Sequence, residues 1–246
     1  MKRILIHIII SIFLLSCLET FSQNRNYLYG GLQMSNFKDM MPFGHIIDDF
    51  NDFHETTDIT TAHKLCLPMY IPGYIFGFKI HSRFSEFGGN IYFNNFTTLA
   101  QGKDSNGIDY YKNLIVTYNG FNLYYRVLIV NTNFFRTGPG ISFKIEQFKA
   151  KIDFDQEELF NSVVPTSKAL IAGQINYTIS VGGPKFNFDI GVFYQLPFWQ
   201  IELDLLNNQL NEGYAGIYTD GQLNFNPASY GITFTIGLGS RENYDF

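Results

Sequence analysis

Long apolar runs are missing from this sequence beyond its N-terminus. The apolar segment Ile4–Leu15 is too short to cross a bilayer as a helix, which takes about 20 residues. No later stretch reaches the apolar length of a transmembrane helix either. Charge is also low, at 16% of the 246 residues with a net charge of −5. The sequence has no basic patch of the kind that binds nucleic acid.

Cysteine is scarce, and one of the two cysteines lies in a segment with the composition of an export signal. Met1-Lys2-Arg3 precedes the apolar segment, as in a signal peptide. Thr20-Phe21-Ser22 favours cleavage before Gln23, giving a signal peptide over 1–22 and one domain over 23–246. Alternatively, Leu14-Leu15-Ser16-Cys17 resembles a lipobox that would leave Cys17 lipidated. After cleavage at Ser22 only Cys66 remains, which excludes an internal disulfide.

The sequence is rich in aromatic residues that alternate with small polar ones. Phe and Tyr number 26 and 16. Period-two alternation predicts strands near 26–35, 74–82, 84–98, 109–130, 133–150, 169–182, 185–200 and 228–238. In the last strand Tyr230, Ile232 and Phe234 share one face, and Thr233 and Thr235 share the other.

The connections between these strands alternate between long and short. The short ones are turns such as His81-Ser82-Arg83, Asn131-Thr132 and Gly182-Gly183-Pro184. Outer-membrane barrels have short periplasmic turns and long outer loops. The pattern therefore predicts an all-β, eight-stranded antiparallel up-and-down transmembrane barrel, with the first loop outside the cell. Strands four and five look longer than the 9–11 residues of a crossing and should protrude from the membrane.

Volume indicates which strand face is outside. An eight-stranded barrel has an interior just wide enough for side chains, so the bulky aromatic face must meet lipid and the small polar face must line the lumen. A secreted β-sandwich or a lipocalin-like barrel is the alternative. Six charged residues fall on the inward parity: Lys79, Glu86, Arg126, Lys144, Glu146 and Asp189. Because buried charges are tolerated only when paired, we expect a salt-bridge plug rather than a conduction path.

The first long loop contains an apolar pattern at helical spacing, formed by Phe43, Ile46, Ile47, Phe50 and Phe53. Pro42 suits the first turn of such a helix. An amphipathic helix has to bury its apolar face, so we expect it to cap the barrel mouth or to pack on the protruding rim. Binding of a protein partner through this helix is the alternative.

Histidines and acids of the loops are weak candidates for metal sites. His45, His54 and His63 recur every nine residues, a spacing that matches no compact metal motif. The acidic segment 153–160 lacks the glycine-containing spacing of a calcium loop. We therefore expect no metal and no cofactor.

An enzymatic site has one superficial candidate. His81, Ser82 and Glu86 contain the residue types of a hydrolytic triad, but they lie at a short turn, on the side of the membrane opposite to surface lipid A. We expect a non-enzymatic barrel for surface binding or for envelope or secretion support. A narrow porin-like channel and a lipid-modifying enzyme are the alternatives.

Several segments carry a family resemblance: Thr20-Phe21-Ser22-Gln23, Tyr29-Gly30-Gly31-Leu32, 44–51, 72–78 and Tyr230-Gly231-Ile232-Thr233-Phe234. In these the chain resembles small outer-membrane β-barrels of the OmpA/OmpX kind, and the "outer membrane protein beta-barrel" group common in Bacteroidota. That group includes PorT-like barrels linked to type IX protein secretion. The resemblance implies location in the bacterial outer membrane, with outer-membrane lipid and the barrel assembly machinery as partners. Ser240, Arg241 and Glu242 interrupt the usual aromatic end of the last strand, so the assembly signal is expected at Tyr230–Leu238.

Overall fold

Alternating segments of the sequence form strands throughout the computed structural model, which describes residues 25–56, 60–103, 107, 109–155, 161–211 and 221–239. The proposed signal peptide with Cys17, and residues 240–246, lie outside this part. The described strands are β1 Arg25–Phe37, β2 Thr60–His63, β3 Ile71–His81, β4 Ser85–Lys103, β5 Asp109–Val127, β6 Val130–Asn131, β7 Phe135–Asp155, β8 Asn161–Gly182, β9 Phe186–Pro197, β10 Ile201–Glu202, β11 Asn224–Phe225 and β12 Ser229–Gly239. The described helices are α1 Met41–Thr56 and α2 Asp204–Leu210. Neither helix is long and apolar enough to cross a membrane.

Eight of these strands close into an antiparallel barrel in the order β1, β3, β4, β5, β7, β8, β9, β12. The last strand pairs back with the first, from Tyr27 opposite Gly239 to Phe37 opposite Ser229. Closure gives every strand two neighbours, so the backbone groups are satisfied inside the sheet. The predicted eight-stranded up-and-down barrel is confirmed.

The two faces of each strand lie where the alternation predicts. Large apolar side chains point outward, so that Phe234 is 37% exposed while the neighbouring Thr235 is 5% exposed. The same outward set includes Leu28, Phe76, Phe121, Ile145, Ile175 and Ile190. Small and polar residues fill the interior. An apolar exterior around a polar interior excludes the lipocalin-like alternative, in which the apolar face is inward.

Four adjacent strands are much longer than the others. Strands β4, β5, β7 and β8 have 19, 19, 21 and 22 residues, whereas β1, β3, β9 and β12 have 11 to 13. We call the protruding part of these four strands the extended wall. The fourth and fifth predicted strands are β5 and β7 of the structure, and both protrude as expected. The expectation is incomplete, because β4 and β8 protrude with them.

The extended wall also corrects the expected second and third long loops. Those segments are mostly strand, since β4 continues to Lys103, β7 continues to Asp155 and β8 begins at Asn161. The cross-strand pairing continues to Lys103 opposite Asp109 and to Phe154 opposite Asn161. The inner face of these extensions is apolar, at Ala100, Leu114 and Ile152. An apolar face must be buried against other apolar residues, and this burial stabilises the strands beyond the barrel.

An apolar cap covers the inner side of the extended wall and the barrel mouth. It consists of α1, α2 and the small β10–β11 sheet, and its buried side chains include Phe43, Ile46, Ile47, Phe50, Leu206, Leu210 and Phe225. The predicted amphipathic helix is thus confirmed, with its apolar face on the barrel. The ring of Phe43 lies 6.1 Å from that of Phe148 on β7 and 5.0 Å from that of Phe225. The side chain of Phe53 lies outside the described residues.

Candidate functional site: the barrel lumen

All six charged residues predicted for the lumen lie inside the barrel and are buried. They come from five strands: Lys79 from β3, Glu86 from β4, Arg126 from β5, Lys144 and Glu146 from β7, and Asp189 from β9. Because side chains alternate strictly along a strand, the parity of each residue decides that it points inward. The structure brings them together in three groups.

The first group links β3 and β9, which are separated in the barrel by β1 and β12. Lys79 Nζ forms a buried ion pair with Asp189, and lies 5.5 Å and 5.7 Å from the ring centres of Tyr27 and Tyr29. Asp189 also accepts hydrogen bonds from Asn187 Nδ2 at 2.7 Å and from Thr235 Oγ1 at 3.1 Å. The carboxylate therefore meets one cation and two neutral donors.

The second group is a row across three adjacent strands. Glu86 lies directly opposite His81 on β3 and directly opposite Arg126 on β5. Arg126 Nη1 donates to Glu86 Oε1 at 2.7 Å, and His81 Nε2 contacts Glu86 Oε2. Arg126 also stacks over the Tyr124 ring, 5.5 Å from its centre. Strand register alone places these three side chains side by side.

The third group surrounds Glu146. The hydroxyls of Tyr92 and Tyr118 donate to its two oxygens, and Gln195 Nε2 donates to it at 2.7 Å. Lys144 Nζ lies 3.7 Å from Glu146 and donates to Gln195 Oε1 at 2.7 Å. The Phe37 ring meets the Tyr118 ring edge-on at 5.4 Å and the Phe225 ring of the apolar cap at 5.0 Å. Phe37 thus connects this group to the underside of the cap.

Little space remains between these groups. A cavity of about 60 Å³ lies at mid-lumen, lined by Asn90, Asn122, Gln174 and Asn176 among others. The side-chain oxygens of these four amides have no hydrogen-bond partner among the described residues. A polar cavity of this size has room for ordered water but is too small for a solute, and the apolar cap lies above it.

Some lumen residues were not identified from the sequence. Tyr92, Tyr118 and Gln195 supply the donors to Glu146, and Arg136 is a further buried cation. Arg136 shares the parity of Lys144, so the alternation contained the signal for it. Tyr92 and Tyr118 share the parity of Glu86 and Arg126, so the alternation also places them inside. Nothing in the sequence indicates that their hydroxyls meet Glu146.

The metal candidates are not assembled into a site. His45 is half-buried on α1, His63 is exposed at the end of β2, and the side chain of His54 lies outside the described residues. Among the residues that the structure describes, no three His, Cys, Asp or Glu side chains could hold one metal ion. In the acidic segment, Asp153 pairs with Lys151 at 2.8 Å, and residues 156–160 lie outside the description.

The candidate triad has the wrong contacts for nucleophilic catalysis. His81 is held between Glu86 and Arg136. The Ser82 hydroxyl instead bonds to the Ser85 carbonyl oxygen at 3.1 Å and to the Ser85 hydroxyl at 2.9 Å. Activation of a serine requires a hydrogen bond to its base, and this serine is engaged in the turn.

A closed eight-stranded barrel with an apolar exterior and a charged, filled lumen defines the class of small transmembrane β-barrels. No protein-family model matches the chain, and no curated protein matches its sequence. Solved structures of Ail, the attachment invasion locus protein of Yersinia pestis, are similar to it. The complex with the heparin analogue sucrose octasulfate has a TM-score of 0.45 at 8% identity, and covers 89% of this chain and 99% of that one.

Two further solved structures are similar to the chain. Ail without that analogue has a TM-score of 0.43 at 9% identity, with the same coverage of 89% and 99%. The outer membrane protein OprG from Pseudomonas aeruginosa has a TM-score of 0.36 at 11% identity, and covers 88% of this chain and 93% of that one. Function therefore has to be derived from this chain's own residues.

Proposed function

We propose that this protein is a non-enzymatic barrel of the bacterial outer membrane, closed to conduction, whose extended wall and cap serve surface binding or envelope support. The observation that carries the proposal is a double closure. Three charged groups fill the lumen at membrane level, and the apolar cap covers the mouth above them. A barrel built for permeation would leave a water-filled path, as porins do.

The outer surface supports residence in a membrane. Large apolar side chains cover the barrel exterior, and an aromatic set borders this band at each end. Tyr70, Tyr74, Trp199 and Tyr230 lie near the end with the long loops, whereas Phe84, Phe134 and Phe186 lie near the short turns. Aromatic girdles at both interfaces are typical of outer-membrane barrels. Outer-membrane lipid and the barrel assembly machinery are the partners that such a surface implies.

The outward face of the extended wall changes from apolar to polar residues along β4, β5 and β7. Phe93, Phe121 and Ile145 are exposed apolar residues, and one pleat further along their strands the outward residues are Asn95, Asn119 and Gln147. The strand register aligns this border between β5 and β7, with Phe121 opposite Ile145 and Asn119 opposite Gln147. On β4 the border lies one pleat further out, since Phe93 is opposite Asn119. Beyond the border, β4 continues to Lys103, roughly 25–30 Å along the strand at about 3.3 Å per residue.

This polar wall is the surface that we assign to binding. It stands clear of the lipid band, presents mainly Asn, Thr, Gln and Lys side chains, and is held rigid by the cap behind it. The apolar face of α1 is already buried within the protein, so a protein partner would meet the polar face of α1 or the wall itself. A role in protein secretion, as in PorT-like barrels, is one form of envelope support that such a surface permits.

Planar-bilayer conductance tests the closed lumen. The wild-type protein is expected to show no stable single-channel opening at neutral pH, and a robust opening would favour the porin-like channel instead. Mass analysis of lipid A from cells with and without the protein tests the enzymatic alternative. An acylation change that is lost in His81→Ala would contradict the non-enzymatic proposal.

A further inference from the structure

A second polar cavity opens at the barrel end that carries the short turns. It measures about 450 Å³ and is lined by Arg25, Arg83 and Arg136, by His81, and by polar residues of the turns at 82 and 131–133. We call it the turn-end pocket. No Asp or Glu is among the described residues that line it. Its wall therefore carries three guanidinium charges and no acid.

Arg136 forms the buried part of the turn-end pocket and is 2% exposed. Its guanidinium lies 3.4 Å from the Tyr27 hydroxyl and 3.4 Å from the Gly182 carbonyl oxygen, and one amino group contacts His81 Nδ1. All three partners are neutral acceptors. Arg136 Nε has no hydrogen-bond partner among the described residues. Buried charges are normally paired with an opposite charge, and in this part of the chain Arg136 has none.

The orientation of His81 separates Arg136 from the nearest acid. A guanidinium can only donate hydrogen bonds, so His81 Nδ1 is the acceptor and the ring proton lies on Nε2. That nitrogen faces Glu86, which is already paired with Arg126. Glu86 thus points into the lumen, behind the histidine ring, and does not pair with Arg136. The positive charge of Arg136 can therefore interact with an anion in the pocket.

Arg25 and Arg83 bring two more cations to the rim from different parts of the chain. Arg25 Nη2 donates to Asn133 Oδ1 at 3.2 Å. Arg83 lies over the Phe84 ring at 5.1 Å, and its carbonyl oxygen accepts from Asn131 Nδ2 at 2.6 Å. Among the described residues neither rim arginine forms a salt bridge. Both guanidiniums keep donors that no carboxylate occupies.

We propose that the turn-end pocket binds an oxyanion of the phosphate type, either on a lipid headgroup or free in solution. Arginine presents its donors as a planar fork that matches phosphate oxygens two at a time. The pocket lies at one end of the lipid band, next to the exposed Phe84, where headgroups of that leaflet come within reach. This assignment is independent of the closed lumen and of the role of the extended wall.

The test uses the full-length protein folded in nonionic detergent micelles, titrated with inorganic phosphate by calorimetry. The double variant Arg25→Gln/Arg83→Gln removes two rim charges while leaving the buried Arg136 in place. Two charge-assisted hydrogen-bonding groups are lost, so the phosphate affinity should fall at least about tenfold. Lys185→Gln removes an exposed cation at the same end that does not line the pocket. Its affinity should stay within about twofold of wild type.

A lipid arm separates the two sources of the anion. The protein is placed in nanodiscs of phosphatidylcholine with or without phosphatidylglycerol, and retained lipid is measured by native mass spectrometry. If wild type retains phosphatidylglycerol and the double variant loses it, the pocket binds a lipid headgroup. If only inorganic phosphate binds saturably, the pocket binds a free oxyanion. No saturable binding of either probe, or an equal loss in Lys185→Gln, overturns the proposal. Heat-modifiable gel mobility confirms that each variant is folded.

Discussion

Individual lumen residues are stable because each buried carboxylate meets several donors. Glu146 receives two tyrosine hydroxyls and an amide in addition to Lys144. Glu86 depends more heavily on one partner, since Arg126 is its only arginine contact among the described residues. The consequences of removing a cation should therefore differ from group to group.

Arg126→Ala is expected to destabilise the folded barrel by about 3–5 kcal/mol, because Glu86 then stays buried without its main counter-charge. Replacing both Arg126 and Glu86 by Ala should cost less than the sum of the two single losses. Urea unfolding measures all three variants. Lys151→Ala, at the partly exposed pair with Asp153, serves as a control and should change stability by about 1 kcal/mol or less. Strictly additive losses would show that the two lumen charges are solvated independently.

Gly31 permits the close approach of β1 to β12 where the barrel closes. A Cβ at Gly31 would lie 1.9 Å from the Phe234 carbonyl oxygen, whereas the nearest atom to a Cβ at the neighbouring Gly30 would be in the Phe76 ring, at 3.1 Å. Gly31→Ala should therefore cost at least about 1–3 kcal/mol through overpacking, and Gly30→Ala should be much milder. Folding yield into vesicles, read by heat-modifiable mobility, compares the two. Similar yields would show that the β1–β12 contact is looser than described.

The helix α1 makes the first loop a structural part of the molecule. Asn51 exchanges hydrogen bonds with the Leu65 backbone at 3.0 and 3.1 Å. At the other side, Asn211 Nδ2 donates to the Ile46 carbonyl oxygen at 3.4 Å. These bonds link α1 to the segment after β2 and to the end of α2, so the two helices should loosen together.

Phe43→Asp is expected to release the cap without unfolding the barrel. The variant places a charge where an aromatic ring now contacts Phe148 and Phe225, and loss of a buried Phe alone costs about 3–5 kcal/mol. Limited proteolysis should then cut within residues 38–70 much faster than in wild type. Asp48→Ala on the exposed face of α1 is the control and should leave the cutting rate unchanged. Equal rates for Phe43→Asp and wild type would mean that the cap does not depend on this ring.

For the whole molecule, orientation in the membrane is still a prediction, and the chain carries its own reporter. Cys66 is a free, exposed cysteine in the first long loop. If that loop is outside the cell, an impermeant thiol reagent should label wild-type cells at Cys66. A variant combining Cys66→Ser with Arg83→Cys should label only after permeabilisation. A cysteine at Asn106, which lies outside the described residues, should behave like Cys66. The reverse labelling pattern would show that the barrel has the opposite orientation in the membrane.

Much of this architecture follows from local alternation. The parity of Lys79, Arg126 and Asp189 was enough to place them inside, and the spacing of Phe43, Ile46 and Phe50 was enough to predict α1 and its buried face. The ends of β4, β7 and β8 could not be predicted, because those extensions are strands only where a neighbouring hairpin and the cap bury their inner face. Parity also places Tyr92 and Tyr118 inside, but no local pattern indicated that their hydroxyls donate to Glu146.

The sequence by itself determined the number of barrel strands, the two faces of the predicted strands and the amphipathic helix. Each of these is a local property, set by the two-residue repeat of a strand or the turn of a helix. Only the tertiary structure decided which charges meet, since Lys79 and Asp189 are 110 residues apart in the chain. The same holds for Arg25, Arg83 and Arg136, which come together because barrel closure brings the start of β1 beside two turns. Register is a property of the whole sheet, and no local pattern encodes it.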